Sequence, residues 1–572
     1  MQRSGIGSRT AALAATTLIV ASAALAGSPS AYAIAPPVID PGAVPPDSPP
    51  GPEQPMRQTA YCTEVGVLPG TDFRIQPKYM DMLNLPEAWR FGRGGGVKVA
   101  VIDTGVTPHP RLPRLAGGGD YVMAGGDGLS DCDAHGTLVA SMIAATPASG
   151  VAPAPPPERK PLPVPTNEPP PPAPPPQTIT LSVPPPPPQT VTMVPPPPEE
   201  PAQPAFPWMP APPKAPAANH QHGRFVAPGY TGGGQVRAVD RPRPAAPNPA
   251  PGQPTDAFSG IAPDVDLISI RQSSQAFGLK DAFTGDEDPQ TRQKMDSIRT
   301  MARAIVHAAN MGASVINISQ VLCMSARSVL DQADLGAAVR YAAVDKDAVI
   351  VAAAGDTSQK DCKQNPLYDP LRPNDPRDWN GVTTVVTPAW FDEYVLTVGA
   401  VDAAGAPLDK TSVAGPWVSI AAPGTDIVGL SPREDSLVNA IDGPDNTLLV
   451  PTGTSFSTAI VSGVAALVRA KYPQLSSHQI INRLIRTARA PARGVDNQIG
   501  HGVVDPVAAL TWDVLDGPVK PKELSSPLKL PPPPPERNMT PVWVAAGGLA
   551  AAVLLVGAIF GGAKLMRRSG ER

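Results

Sequence analysis

Four side chains have the types and placement that acyl-transfer chemistry asks for. Asp103 ends the apolar run "VAVID". His135 opens "HGTLVASMIAA", 32 residues further on (135 − 103). Ser455 stands at the head of the apolar stretch "SFSTAIVSGVAALV". A serine hydroxyl is a poor nucleophile until an imidazole takes its proton, and the imidazole needs a carboxylate to hold its tautomer and stabilise its charge. A nucleophile at a helix start also finds backbone N–H groups facing a developing oxyanion. The fourth residue is Asp356, which follows the strand-like "AVIVAAAG" and puts a carboxylate where an α/β strand ends.

The elements that must position these groups are legible as alternating strands and helices. Strand-like runs are "VKVAVID", "VDLISIRQ", "ASVINISQ", "AVIVAAAGD", "EYVLTVGAVD" and "WVSIAAPG". "DAHGTLVASMIAA", "MDSIRTMARAIVHAANMG", "LGAAVRYAAVDKD" and "STAIVSGVAALVRAKY" read as helices. The strands are nearly continuous apolar runs, the pattern of a parallel sheet covered on both faces. Sites in such sheets form at the carboxyl ends of the strands. Asp103, Ser319 and Asp356 all fall there.

The rest of the 572-residue chain is of a different texture. About half of its 79 prolines lie between Pro147 and Pro254. Residues 147–256 therefore read as a long Pro-rich, disordered insertion, either a regulatory or partner-binding loop or a mere decoration. Residues 34–84 read as a Pro-rich N-terminal extension, 85–515 as the main domain and 516–540 as a linker. Residues 1–33 carry Arg3 and Arg9, an apolar stretch and the "AYA" of a signal-peptide cleavage site. Residues 541–563 have no charge over a length that spans a bilayer, and "KLMRR" follows, which makes 564–572 a cytoplasmic tail. The net charge is −4 with no basic stripe, which excludes a nucleic-acid partner on electrostatic grounds. His220 and His222 form a pair with no suitably spaced Cys or carboxylate, so no metal and no cofactor is expected. His109, close to Asp103 in sequence, reads as a rim residue. An exported chain with four cysteines implies disulfides, and four cysteines allow three pairings.

The boxes "VIDTG", "HGT" and "GTSFS", in the order Asp, His, Ser, resemble the three signature boxes of subtilisin-like serine proteases (subtilases). "GIAPDVDLISIR", "VINIS", "AAAG", "IAAPG" and "GHGVVDPVAAL" follow in that family's sequence, so the resemblance covers Leu85 to Leu510 outside the proline segment. It implies a three-layer α/β fold with a mostly parallel sheet and helices on both faces. It implies Asp103, His135 and Ser455 as catalytic triad, protein or peptide substrates, and Ser319 and Gln320 as part of a substrate-pocket wall. It also implies pairing of Cys62 with Cys132 and of Cys323 with Cys362. The envelope (secretion signal, Pro-rich arm, two cysteine pairs, C-terminal membrane helix) is similar to that of the mycosins, the membrane-anchored proteases of mycobacterial type VII secretion systems. That likeness implies a catalytic domain outside the cytoplasmic membrane and association with the secretion membrane complex, in which the fold could also serve mainly as a structural subunit. Two features depart from the subtilase pattern. The stretch after Asn317-Ile318-Ser319 is Gln-Val-Leu-Cys rather than glycine-lined, and the extension 34–84 is too poor in apolar residues to fold as a compact propeptide. A third concerns Asp356, which stands where subtilases usually carry an oxyanion-donating Asn; an ionised carboxylate has no donor, so a slow protease is expected.

Overall fold

The computed structural model describes residues 34–148, 158–160, 235–236, 255–280, 288–367, 379–443, 447–492, 494–522 and a few helical residues between 548 and 558. The expected signal peptide, most of the insertion, His220 and His222, and the cytoplasmic tail lie outside them. So does most of 541–563, of which residues 548–551, 554–556 and 558 are helical. No helix among the described residues is long and apolar enough to cross a membrane.

Seven strands form the central sheet: β1 (Lys98–Asp103), β2 (Leu115–Asp120), β3 (Asp266–Arg271), β4 (Val315–Ile318), β5 (Val349–Ala353), β6 (Val395–Val401) and β7 (Val418–Pro423). Their order is β7-β6-β5-β4-β1-β3-β2, and every neighbouring pair is parallel. Alternate side chains explain the continuous apolar runs. Val99 and Val101 of β1 enter one core, while Ala100 and Ile102 enter the other. The first core packs under α1 (His135–Ala144) and, later in the chain, α4 (Thr454–Lys471) and α5 (Ser477–Thr487). The second packs under α2 (Pro289–Asn310) and α3 (Ala333–Arg340). Three layers result, as the apolar pattern requires.

From β1 the chain runs to β2 and β3 on one side, then crosses to β4 on the other. The carboxyl ends of β1 and β4 therefore flank the point where strand order reverses, where open parallel sheets leave a crevice. Asp103 ends β1, and Ser319 follows β4 directly.

The N-terminal extension has no core of its own and instead lies along the domain. Asp47 accepts from His307 Nδ1 at 2.8 Å and from Asn310 Nδ2 at 2.9 Å on α2. Glu53 pairs with Arg303 at 2.6 Å, and Gln54 donates to Asp296 at 2.7 Å. Residues Met56–Gln58 then pair antiparallel with Phe277–Leu279, Cys62 is bonded to Cys132, and Val65–Gly66 pairs with the strand Ala440–Asp442. The short helix Lys78–Leu83 places Tyr79, Met80 and Leu83 in the first core, so the core begins inside the stretch that reads in sequence as extension. Described residues of the insertion touch the domain at several points, among them Asp256, which pairs with Arg111 at 3.0 Å. Arg159 donates to the carbonyls of Pro108 at 2.8 Å and Arg433 at 3.0 Å, and Gln235–Val236 pairs with Leu448–Leu449.

The Cys62–Cys132 bond closes a chain separation of 70 residues, for which loop-closure entropy gives about 4 kcal/mol. The Cys62→Ser/Cys132→Ser chain should lose about that much in denaturant unfolding; an unchanged midpoint would show that the polar and strand contacts alone hold the extension.

Candidate active site

At the end of β1, Asp103 turns its carboxylate toward the start of α1. Its Oδ1 accepts from His135 Nδ1 at 2.7 Å and from the Thr104 backbone N–H at 2.7 Å. Both side chains are almost wholly buried. Asp103 Oδ2 is also buried, with no hydrogen-bond partner among the described residues. Two close backbone approaches make this pairing possible. A β-carbon at Gly136 would lie 2.0 Å from the Gly105 carbonyl oxygen, and one at Gly105 would lie 2.2 Å from that of Ser130. Only glycines let the turn after β1 and the first turn of α1 come so near, and Gly105 also has a φ of +97°.

Burial opposes a charge on His135. The Asp103 carboxylate and its hydrogen bond, then Asp131 and Asp133, outweigh that opposition and hold the imidazole pKa above the ordinary histidine value. Asp131 is fully buried, and burial together with the Asp133 charge pushes its own pKa up to about 7 against its hydrogen bonds. Neither acid figured in the sequence reading. The available signal was local: Asp131 stands four residues before His135, and a threonine follows each of Asp103 and Gly136.

Ser455 sits in the first turn of α4, whose Phe456 ring lies 5.4 Å from the His135 ring. Its hydroxyl donates to the Ser319 carbonyl at 3.0 Å. A carbonyl can only accept, so the one hydroxyl proton is on the β4 side in this arrangement, and a side-chain rotation would be needed to hand it to the imidazole. The loop after β4 thus meets both groups. The Ser319 hydroxyl lies 2.9 Å from Asn317 Oδ1 and 3.1 Å from the Ser455 carbonyl, between which its one proton is shared, and the Gln320 carboxamide lies 3.1 Å from His135 Nδ1. Ser319 is fully buried. Its side chain braces α4 and offers no surface to a pocket, whereas Gln320, half-buried, touches the histidine itself.

Asp356 follows β5. Its Oδ1 accepts from the backbone N–H of Ser358 at 3.1 Å and from its hydroxyl at 2.9 Å, capping a turn. A β-carbon at Gly453 would lie 2.7 Å from Oδ2, so the second oxygen abuts the turn that launches α4, two residues before Ser455. Gly453 has a φ of +138°, which favours glycine there. Burial raises the Asp356 pKa, against the two bonds from Ser358. The segment from Asp356 ends at Cys362, which is bonded to Cys323 in the short strand Leu322–Ser325 that follows Ser319 and Gln320. His109, which reads in sequence as a rim residue, is buried. Its Nδ1 accepts from Arg111 N–H at 3.1 Å, and burial, with Arg159, brings its pKa down to about 4, so it stays neutral and uncharged.

A carboxylate, an imidazole bonded to it, a hydroxyl at a helix start and a polar group beside that start can together carry out nucleophilic acyl transfer. The subtilase family model matches residues 94–154 and 208–502. Over its full length the chain is 70% identical to Mycosin-5 of Mycobacterium tuberculosis, covering 99% of that protein, and over 97% of each chain it is 46% identical to Mycosin-2 of the same organism. Among solved structures it is similar to a chain of the periplasmic assembly from the ESX-5 inner membrane complex, with TM-score 0.68 and 65% identity over 88% of this chain and 100% of that one. It is also similar to a serine protease, MycP1, described as an essential component of the type VII (ESX-1) secretion system, with TM-score 0.62 and 40% identity over 84% of this chain and 100% of that one.

Gly136→Ala tests the close approach. The added methyl must push the start of α1 away from Gly105, so the chain should lose about 1–3 kcal/mol of stability. Hydrolysis of a peptide substrate should fall at least about tenfold through misplacement of His135. Retained turnover in a destabilised chain would separate the two effects.

Proposed function

The chain belongs to the subtilase family, and within it to the mycosins, and it is a serine protease; from that premise we propose that Asp103, His135 and Ser455 form its catalytic triad. The observation that carries the reading is the 2.7 Å bond between His135 Nδ1 and Asp103 Oδ1 beside a serine in the first turn of α4. Nδ1–H donates to Asp103, which leaves Nε2 to accept the Ser455 proton once the hydroxyl turns away from the Ser319 carbonyl. Ser455 Oγ then attacks the scissile carbonyl carbon. The imidazolium, stabilised by Asp103, returns the proton to the leaving amine, and a water repeats the sequence on the acyl-enzyme. The Ser455 backbone N–H faces the developing oxyanion at the head of α4.

Asp356 takes the second oxyanion position in this reading and makes the enzyme slow. Ionised, its Oδ2 repels the tetrahedral oxygen; protonated, it donates to it. Because the Asp356 pKa is raised, its donor form grows as pH falls. Because the His135 pKa is also raised, the neutral base is lost over the same descent. The two requirements therefore oppose each other as pH falls. Gln320 and the loop after β4 line the approach to the site.

The same reading places the domain outside the cytoplasmic membrane, with 1–33 as signal peptide, 541–563 as single membrane span and 564–572 as cytoplasmic tail, in association with a type VII secretion membrane complex and acting on exported proteins or peptides. The likeness to a chain within the ESX-5 assembly supports that setting. It also supports a second reading, in which the domain serves chiefly as a structural subunit and little proteolysis is required.

Ser455→Ala should abolish peptide hydrolysis, and unchanged cleavage would sink the triad. Secretion that survives Ser455→Ala but fails on deletion of the chain would favour the structural reading. Asp356→Asn restores a neutral donor and should raise kcat at neutral pH by up to about 10²-fold. Its acid limb should then follow the His135 ionisation alone; a flat or lowered rate would remove Asp356 from the oxyanion position.

A further inference from the structure

The start of α1 is capped in an unusual way. Ala134, its N-cap residue, has a left-handed φ of +64° and no side chain that could accept a hydrogen bond from the helix. Two N–H groups of the first turn are met instead by side chains outside the helix. Gly136 N–H donates to Thr104 Oγ1 at 2.9 Å, and Thr137 N–H donates to Asp131 Oδ2 at 2.8 Å. Thr104 comes from the end of β1, one residue after Asp103.

Asp131 joins these two caps. Its Oδ1 accepts from the Thr104 hydroxyl at 2.9 Å and its Oδ2 from the Thr137 hydroxyl at 2.7 Å. With its proton given to Asp131, the Thr104 hydroxyl has its lone pairs free for Gly136 N–H. The Thr137 hydroxyl in turn accepts from Thr107 N–H at 3.0 Å. One buried carboxylate therefore grips the residue after Asp103 and the second residue after His135 at once, and the Thr104 N–H bonded to Asp103 Oδ1 belongs to the same unit.

Resting on the triad reading above, we propose that Asp131, acting through Thr104 and Thr137, is a positioning residue that clamps the end of β1 to the first turn of α1 and so sets the Asp103–His135 hydrogen bond. A cap supplied by a helix's own N-cap residue would stabilise α1 wherever it lay. A cap drawn from the end of β1 stabilises it only when His135 faces Asp103. The consequence is that loss of the clamp should injure the dyad's alignment in addition to the stability of the helix.

The cleanest test keeps charge constant, because Asp103, Asp131 and Asp133 all face His135 and removing any of them moves its ionisation directly. In the full chain purified in detergent, Thr104→Val removes the clamping hydroxyl at nearly constant volume. It should lower kcat about tenfold or more with KM unchanged and shift the acid limb of the kcat profile to lower pH as Asp103 holds the imidazolium less well. Thr104→Ser, which keeps the hydroxyl, should restore both. Asp131→Asn combined with Thr104→Val should cost less than the product of the single losses, since both act on one unit. In a Ser455→Ala background, the far-downfield proton resonance of His135 Nδ1–H should move upfield on Thr104→Val and return with Thr104→Ser. A Thr104→Val chain that changes only in melting temperature, with kcat, acid limb and resonance unmoved, overturns the proposal. So do single losses that simply multiply. Hydrolysis retained by Ser455→Ala would overturn the triad reading instead, while the resonance, which needs no turnover, would still decide the positioning role.

Discussion

The structure depends on one close approach, that of the turn after β1 to the first turn of α1. A parallel sheet brings a strand end and a helix start to the same edge, but only loosely. Here the backbones come within a distance that no side chain at Gly136 could share with the Gly105 carbonyl. At that separation a short aspartate and an imidazole can bond at 2.7 Å with both groups buried. Burial alone would drive the histidine to its neutral form, and the surrounding carboxylates reverse that preference. In the proposed mechanism His135 would thereby have a stabilised imidazolium to pass through, and the rest of the fold can be seen as holding those two turns in place.

Around that contact the domain is bound by links between distant parts of the chain. The N-terminal extension lies against α2, contributes a strand beside Phe277–Leu279, and is bonded to Cys132, which separates Asp131 from Asp133 just before His135. On the other side, Cys323–Cys362 joins the short strand that follows Ser319 and Gln320 to the segment that follows Asp356. Each disulfide thus ends within a few residues of a group that the proposed chemistry uses. The extension is thus tied to the domain by an ion pair, strand pairing and a covalent bond, in place of a core of its own.

Asp356 shows how one side chain can satisfy two demands imperfectly. Its Oδ1 caps the turn at Ser358 as an asparagine oxygen would, and its Oδ2 occupies the place beside Gly453 where an amide nitrogen would otherwise face α4. The fold is served equally well by either residue, because the cap needs only an acceptor. On the proposed reading the developing oxyanion would not be, because it needs a donor, and structure and rate would be separable at this position.

Much was legible in the sequence. Continuous apolar strands alternating with helices specify a covered parallel sheet, since alternate residues must each find a core, and three boxes in order single out the family and the candidate reactive groups, since their chemistry resides in the side chains themselves. These are local properties that a linear reading preserves. Less local features were not. The core begins at Tyr79, because a six-residue helix has too few apolar positions to announce itself. Ser319 turned out to brace α4 from a fully buried position, and Gln320 to touch His135, because the direction of a loop side chain depends on what packs behind it. Asp131 was silent for the same reason. A cap is sought at the residue before a helix, and Ala134 has none to offer; Thr104 supplies one from the end of β1, 31 residues before His135 (135 − 104), and Asp131, though near in sequence, supplies another only because its chain folds back onto the first turn of α1. The sequence by itself determined which groups could react and what layers would carry them. The bonds from Thr104 and Thr137 to Asp131, and the turn of the Ser455 hydroxyl toward the Ser319 carbonyl, came from the tertiary structure alone, because hydrogen bonds of this kind are set by packing at the ångström scale.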